Sequence, residues 1–116
     1  MHLRSDSAAG VRFLASMREG RGIKPSARID VREANEWSAG HAPQAVHVAL
    51  GALSPGNVDR DKVVIAACRS GGRSAQATAL LQSAGIDVRN LAGGMKAWSA
   101  AGLPDCREDG SVGAIT

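Results

Sequence analysis

The chain of 116 residues and 11.9 kDa has the length of one ordinary domain, and its 44% hydrophobic and 22% charged residues exclude global disorder. Its 14 basic residues outnumber the 11 acidic ones, but they are scattered and accompanied by one Phe and two Trp, which argues against a nucleic-acid-binding surface. The longest apolar run, residues 63–68, is too short to span a bilayer, residues 1–20 show no secretory signal, and two cysteines are too few for a disulfide scaffold, so a cytoplasmic location is expected.

The apolar pattern predicts helices and strands that alternate along the chain. In order, we expect a helix over 5–19, a loop over 20–26, a strand over 27–31, a helix over 34–39, strands over 45–50 and 63–67, a helix over 73–84, a strand over 86–91 and a helix over 95–101. The strand over 63–67 is apolar on both faces, as in a buried parallel sheet. The helix over 73–84 is predicted to bury one stripe, which consists of Ala77, Leu80, Leu81 and Ala84.

This alternation predicts an α/β fold: a three-layer, open parallel sheet of four to five strands with helices on both faces. Residues 1–26 would be an N-terminal helix and loop belonging to the domain, residues 27–104 its core, and residues 105–116 a loose C-terminal tail. In such sheets, ligands bind at the carboxyl ends of the strands. Cys68 directly follows the most buried strand, so it lies where this architecture places its chemistry.

The loop between strand 63–67 and helix 73–84 has the sequence Cys68-Arg69-Ser70-Gly71-Gly72-Arg73-Ser74. Its paired glycines allow φ > 0, so the loop can curl until successive backbone N–H groups point inward and bind an anion. The helix N-terminus and the two arginines add positive charge, and all these effects favour the thiolate of Cys68 over the thiol. Cys68 is therefore the predicted nucleophile, and the rest of the loop is predicted to bind the substrate: Arg69, Ser70, Gly71, Gly72, Arg73 and Ser74.

Two plainer interpretations stay open for this loop. A buried structural cysteine is common, but it does not account for paired glycines flanked by two arginines. Ser74 is as well suited to capping the helix as to contacting a bound anion.

From about Ile29 to Pro104 the sequence resembles the rhodanese family of sulfurtransferases. The resemblance is carried by four motifs in the family's order: Asp30-Val31-Arg32-Glu33 followed by Glu36-Trp37, then Gly40-His41, then the Cys68 loop, and finally Gly93-Gly94-Met95-Lys96-Ala97-Trp98. The sequence departs from the family pattern at residues 40–45. They are Gly40-His41-Ala42-Pro43-Gln44-Ala45, where the pattern of the family it resembles is Gly-His-Ile-Pro-Gly-Ala.

The resemblance implies a single rhodanese-like domain whose cysteine takes a sulfane sulfur, becomes a persulfide and passes the sulfur to a nucleophile. The expected partners are a small anionic donor such as thiosulfate, a thiol or cyanide acceptor, and a sulfur-relay protein. No metal or organic cofactor, nucleic acid or membrane is expected, and the sequence does not indicate an oligomeric state.

Two other functions compete with this one. A persulfide carrier or interaction module with low turnover on small molecules would have the same loop. The loop also resembles the Cys-x5-Arg loop of phosphatases and arsenate reductases, but here four residues separate Cys68 and Arg73. The shorter ring is better suited to a sulfur-sized group than to a phosphate.

Several other polar residues have a structural role as the preferred interpretation. Asp30, Arg32 and Glu36 form a charged cluster, which the resemblance implies is supporting: it bridges strand and helix ends near the active loop. His41 is expected to fix the turn after Gly40. The remaining expectations are a solvent-facing His47, a free tail cysteine at Cys106 and a core position for Trp98.

Overall fold

The computed structural model describes residues 26–116, so the helix predicted over 5–19 and most of the loop after it lie outside the described residues. Within residues 26–116, strands and helices alternate: β1 Ser26–Asp30, α1 Ala34–Ala39, β2 Val46–His47, β3 Val63–Ala67, α2 Gly72–Ser83, β4 Val88–Asn90 and α3 Gly94–Ala100. The strands form one parallel sheet in the order β2-β1-β3-β4, which confirms the predicted α/β fold. None of the helices in this part of the chain has the length and apolar character needed to cross a bilayer.

Strand β3 is the centre of the domain, and its side chains alternate between two cores. Val63, Ile65 and Ala67 belong to the cluster that contains Met95 and Trp98 of α3. Val64, Ala66 and Cys68 belong to the cluster that contains Ala77 and Leu81 of α2. Helices therefore cover both faces of the sheet, which is the predicted three-layer arrangement. Trp98 is buried in its cluster, as expected, and donates its indole N–H to the carbonyl of Pro104 at 2.7 Å.

Helix α1 and strand β3 have the predicted boundaries, but two other strands are shorter than predicted. Strand β4 begins at Val88 rather than Ile86, because the Ile86 N–H bonds to the Leu81 carbonyl at the end of α2 instead of to the sheet. Strand β2 is confined to Val46–His47, since the chain turns into a short 3₁₀ segment at Leu50–Ala52.

The buried stripe of α2 differs from the predicted one. Leu80 is 41% exposed, and the residues that face the core have the same helical spacing but start three positions earlier: Ser74, Ala77, Thr78 and Leu81. The apolar pattern did not predict this orientation because two of these four residues are polar. The Thr78 hydroxyl donates to the Ser74 carbonyl at 2.8 Å, and the Ser74 hydroxyl is directed toward Cys68.

Residues 105–116 are not a loose tail, which corrects the sequence-based prediction. Cys106 exchanges two backbone hydrogen bonds with His41, at 2.8 and 2.9 Å, and Ala114 donates to the Ala39 carbonyl at 2.8 Å. Glu108 accepts the indole N–H of Trp37 at 2.6 Å. The segment is held mainly through backbone groups and not through an apolar stripe, so its polar composition gave no sign of the packing.

Candidate active site

The loop that begins at Cys68 is anchored from below by the N-terminus of α3. The Met95 N–H donates to the Cys68 carbonyl at 2.7 Å, and the Lys96 N–H donates to the Arg69 carbonyl at 3.0 Å. This approach requires a glycine: Gly94 has φ 58°, and a Cβ there would lie 2.6 Å from the carbonyl carbon and oxygen of Arg69. The Gly93-Gly94 motif thus fixes the backbone that carries the nucleophile.

The sulfur of Cys68 is buried and surrounded by hydrogen-bond donors from the loop and the start of α2, an arrangement called the cradle below. The residue is 1% exposed, the Gly71 N–H donates to Sγ at 3.0 Å, and the Ser74 hydroxyl lies 3.3 Å from Sγ. Burial raises the pKa of Cys68, but hydrogen bonds from the Ser74 side chain and from the Ser74, Gly71 and Ser70 backbones outweigh it, so the net pKa is lowered. This direction agrees with the prediction made from the loop sequence.

The sequence analysis noted that both loop glycines allow φ > 0, and one of the two, Gly71, adopts it. Gly71 has φ 115° and turns its N–H toward the sulfur. Gly72 is the first residue of α2, has no positive φ, and a Cβ built on it would meet nothing within 4 Å. Gly71 alone therefore supplies the left-handed conformation, and the space at Gly72 stays open.

The two loop arginines are both held by partners within the protein. Arg73 forms a bidentate pair with Glu36, with N–O distances of 2.6 and 2.9 Å. This pairing raises the pKa of Arg73, and the charge of Cys68 contributes in the same direction. Arg69 is exposed and donates from Nε to the Thr116 carbonyl at 2.8 Å. Around the sulfur, the structure thus brings together backbone amides and Ser74, whereas both arginines hydrogen-bond to other partners.

The predicted cluster of Asp30, Arg32 and Glu36 is split into two ion pairs. Asp30 and Arg32 are both buried and make a bidentate contact, with Nη2–Oδ2 at 2.7 Å and Nε–Oδ1 at 2.9 Å. Arg32 also donates to the Gly40 carbonyl at 2.8 Å, so this pair ties the end of β1 to the end of α1. The Glu36–Arg73 pair ties α1 to α2. Both contacts fit the structural interpretation.

The two histidines within residues 26–116, His41 and His47, both stack on Trp37. His41 lies 3.5 Å from the Trp37 ring and bonds through Nδ1 to the Trp37 carbonyl at 2.9 Å, which confirms its role in the turn. The prediction that His47 faces solvent was wrong: it is half-buried, with Nε2 2.7 Å from the Arg32 carbonyl. The imidazole of His47 is directed toward the backbone just after β1 and not toward solvent.

Sequence reasoning missed Asn90, the last residue of β4. It is 2% exposed, its Oδ1 lies 2.5 Å from the Ser74 hydroxyl, and its Nδ2 donates to the Gly71 carbonyl at 3.3 Å. A signal was available: Asn90 lies one residue before the end of the strand predicted over 86–91, and the carboxyl ends of parallel strands meet at the sheet edge where Cys68 lies.

Glu36 gives the domain a pH-dependent term. Hydrogen bonds from Arg73 lower its pKa from 4.5 to about 2 against a smaller opposing effect of burial. A carboxyl with a depressed native pKa stabilises the fold above its unfolded pKa and loses that contribution as pH falls toward its folded pKa. We expect Glu36→Gln to be less stable than the wild type near about pH 7, and the difference to shrink between about pH 5 and about pH 2. Urea unfolding of both proteins across this range measures it, and a pH-independent difference would contradict it.

The chain resembles known proteins along most of its length. Residues 13–101 match the family described as the Rhodanese-like domain. The putative sulfurtransferase YtwF of Bacillus subtilis is 40% identical over 78 residues, which cover 66% of this chain and 76% of that protein. Thiosulfate sulfurtransferase 16, chloroplastic, of Arabidopsis thaliana is 35% identical over 92 residues, which cover 66% of this chain and 76% of that protein.

A solved structure gives the same result for the fold. The crystal structure of a rhodanese-related protein from Thermoplasma volcanium superposes with a TM-score of 0.73 at 23% identity, covering 93% of this chain and 97% of that one. The motif order, the cradle around Cys68 and the match over residues 13–101 agree with one another. This chain therefore belongs to the rhodanese-like domain family of sulfurtransferases.

Proposed function

We propose that this protein transfers a sulfane sulfur from a small anionic donor such as thiosulfate to a thiol or cyanide, through a persulfide on Cys68. The observation that carries the proposal is the placement of Sγ 3.0 Å from the Gly71 N–H, beside the Ser74 hydroxyl, with a lowered thiol pKa. A lowered pKa increases the thiolate fraction, and the thiolate is the attacking species.

The reaction balances in two displacements. The Cys68 thiolate attacks the outer sulfur of thiosulfate, the S–S bond of the donor breaks, and sulfite leaves with the bonding electron pair. Cys68 then carries a persulfide, whose negative outer sulfur is the charge that the loop amides are suited to stabilise. Cyanide attacks that sulfur, thiocyanate leaves, and the thiolate of Cys68 is regenerated. With a thiol acceptor, the acceptor sulfur bonds to the outer sulfur, the S–S bond to Cys68 breaks, Cys68 leaves as the thiolate, and the proton of the acceptor thiol passes to solvent.

The size of the loop favours sulfur transfer over phosphoryl transfer. The ring closed by Cys68 and Arg73 contains four intervening residues, and both terminal nitrogens of Arg73 bond to Glu36. A phosphatase of the Cys-x5-Arg type would need a wider ring and a guanidinium directed at the phosphate. The names of the relatives also support the proposal: one is a putative sulfurtransferase and another a thiosulfate sulfurtransferase.

Incubation with thiosulfate is expected to add one sulfur atom to the intact mass of the wild-type protein, and cyanide is expected to remove it. Cys68→Ser should gain nothing, because an alcohol at this position is not ionised at neutral pH. Cys106→Ser is the matched control: it removes the chain's second cysteine and should load like the wild type. Sulfur uptake by Cys68→Ser, or none by the wild type, would refute the assignment.

Steady-state formation of thiocyanate separates the enzyme from the persulfide carrier. Repeated turnover that depends on Cys68 supports the enzyme. Loading of one sulfur without turnover assigns the carrier role, in which a partner protein supplies or takes the sulfur. Hydrolysis of an aryl phosphate that depends on Cys68 would instead favour the phosphatase.

A further inference from the structure

The hydroxyl of Ser74 is the hydrogen-bond donor nearest to the sulfur that can change its direction. Three acceptors surround it: Asn90 Oδ1 at 2.5 Å, the Gly71 carbonyl at 3.2 Å and Cys68 Sγ at 3.3 Å. A serine hydroxyl carries a single proton, so it can serve only one of these acceptors fully at a time. The direction of that proton is therefore a property of the site.

The orientation of Asn90 follows from its two contacts. Its Nδ2 donates to the Gly71 carbonyl at 3.3 Å, which places Oδ1 toward Ser74. The side chain is buried, so water does not compensate Oδ1 if Ser74 turns away. Asn90 thus offers Ser74 an acceptor that is closer than the sulfur.

We propose that Asn90 is a positioning residue that tunes the acidity of Cys68 by competing with the sulfur for the single proton of the Ser74 hydroxyl. When Cys68 is a thiol, Ser74 donates to Asn90 and its lone pair faces the S–H group. When the thiol proton passes to solvent, the thiolate can only accept, and the hydroxyl turns from Asn90 to the sulfur. Ionisation therefore includes the loss of the Ser74–Asn90 hydrogen bond.

This exchange rests on the proposed function and gives it a physical rationale. When the donor's sulfur has been transferred, the charge lies on the outer sulfur, and Sγ no longer needs the hydroxyl proton, which returns to Asn90. When an acceptor takes the outer sulfur, Sγ leaves as a thiolate and Ser74 turns back to it. A lower leaving-group pKa speeds this second step, whereas intrinsic nucleophilicity in the first step falls with pKa, so an intermediate acidity serves both.

The charged groups that bear on Cys68 stay constant in the variants Asn90→Leu and Ser74→Ala. Within the described residues, Arg73 interacts with the sulfur through its charge and is paired with Glu36, while Arg69 is exposed and donates from Nε to the Thr116 carbonyl. Asn90 and Ser74 are neutral. Their neutral replacements therefore change hydrogen bonding without changing the net charge of the site.

The experiment measures the pKa of Cys68 from the pH dependence of its alkylation by iodoacetamide, in a Cys106→Ser background where Cys68 is the single thiol. Asn90→Leu removes the competing acceptor and is expected to lower this pKa by about 0.5–1 unit, the equivalent of one neutral hydrogen bond. Ser74→Ala removes the donor and is expected to raise it. In Ser74→Ala, the further change Asn90→Leu should leave the pKa unchanged.

The dependence on Ser74 distinguishes tuning from a merely structural role. If Asn90 only held the loop in shape, its loss would disturb the cradle, raise the pKa, and do so with or without Ser74. Either a rise, an unchanged pKa in Asn90→Leu, or equal shifts in the two backgrounds would overturn the proposal. Should Asn90→Leu not fold, Asn90→Asp gives the opposite sign: it should raise the pKa more with Ser74 present than without it. Alkylation involves no sulfur donor, so the result is independent of whether the protein transfers sulfur.

Discussion

Replacing Asp30 with alanine is expected to lower the free energy of unfolding by about 3–5 kcal/mol, the range for breaking a buried ion pair from one side. The reason is the partner left behind: Arg32 is 0% exposed, and Asp30 accepts hydrogen bonds from its Nε, its Nη2 and its backbone N–H. Without the carboxylate, a guanidinium stays in the interior with one hydrogen-bond partner left among residues 26–116, the Gly40 carbonyl. Urea unfolding followed by circular dichroism measures the loss.

A double variant shows whether the cost comes from the stranded charge. Asp30→Leu combined with Arg32→Met replaces the pair with apolar side chains, and should recover most of the stability lost in Asp30→Ala. Lys62→Ala is the surface control: the Lys62–Asp59 pair is 3.9 Å long with Lys62 43% exposed, so its loss should cost no more than about 0.5 kcal/mol. If Asp30→Ala cost no more than Lys62→Ala, the central role of the buried pair would be disproved.

Replacing Gly94 with alanine is expected to cost about 2–4 kcal/mol, since a left-handed backbone and a backbone clash act together. Gly94 has φ 58°, and the new methyl group would lie 2.6 Å from the Arg69 carbonyl. To relieve this contact, α3 must move away from the loop and weaken the bonds to the Cys68 and Arg69 carbonyls. We expect persulfide loading to slow by roughly tenfold to a hundredfold, because the sulfur's position depends on that backbone. The loading rate is measured by quenching the reaction with thiosulfate at successive times and determining the intact mass.

Gly102→Ala is the matched control for Gly94→Ala. Gly102 also has a positive φ, 76°, but a Cβ there would meet nothing within 4 Å. It should therefore show the backbone strain alone, about 1–2 kcal/mol, with normal loading. Equal stability losses and equal loading rates in the two variants would mean that the contact between α3 and the loop does not position the nucleophile.

The parts of the structure that the sequence predicted are those with local causes. The β-branched run of β3 and the glycine stop of α1 gave boundaries that agree with the structure. Cys68 was identified because strand order and loop composition are both visible in the chain. Gly71 also followed from composition, since the curl needs a left-handed residue.

The parts that escaped prediction depend on partners distant in the chain. Arg73 was predicted to bind the substrate, but its ion pair with Glu36, 37 residues away, was not predicted. Asn90 was not identified because its contacts with Ser74 and Gly71 form between β4 and the start of α2, which are distant in the chain. Gln44 is a different, local case: it adopts φ 64° where the family pattern has a glycine, although its residue type does not favour this conformation.

The alternation of side chains along β3 determines which side of the sheet carries the chemistry. Residues 64, 66 and 68 point toward α2, and residues 63, 65 and 67 point toward α3. Deleting one residue from this strand would exchange odd for even and turn the thiol toward Trp98, away from Ser74 and Asn90, with no change in the loop sequence. The loop sequence therefore forms the site only when the preceding strand has the right length. With the strand one residue shorter, the same seven loop residues would place the cysteine on the opposite face of the sheet, without its hydrogen-bond donors.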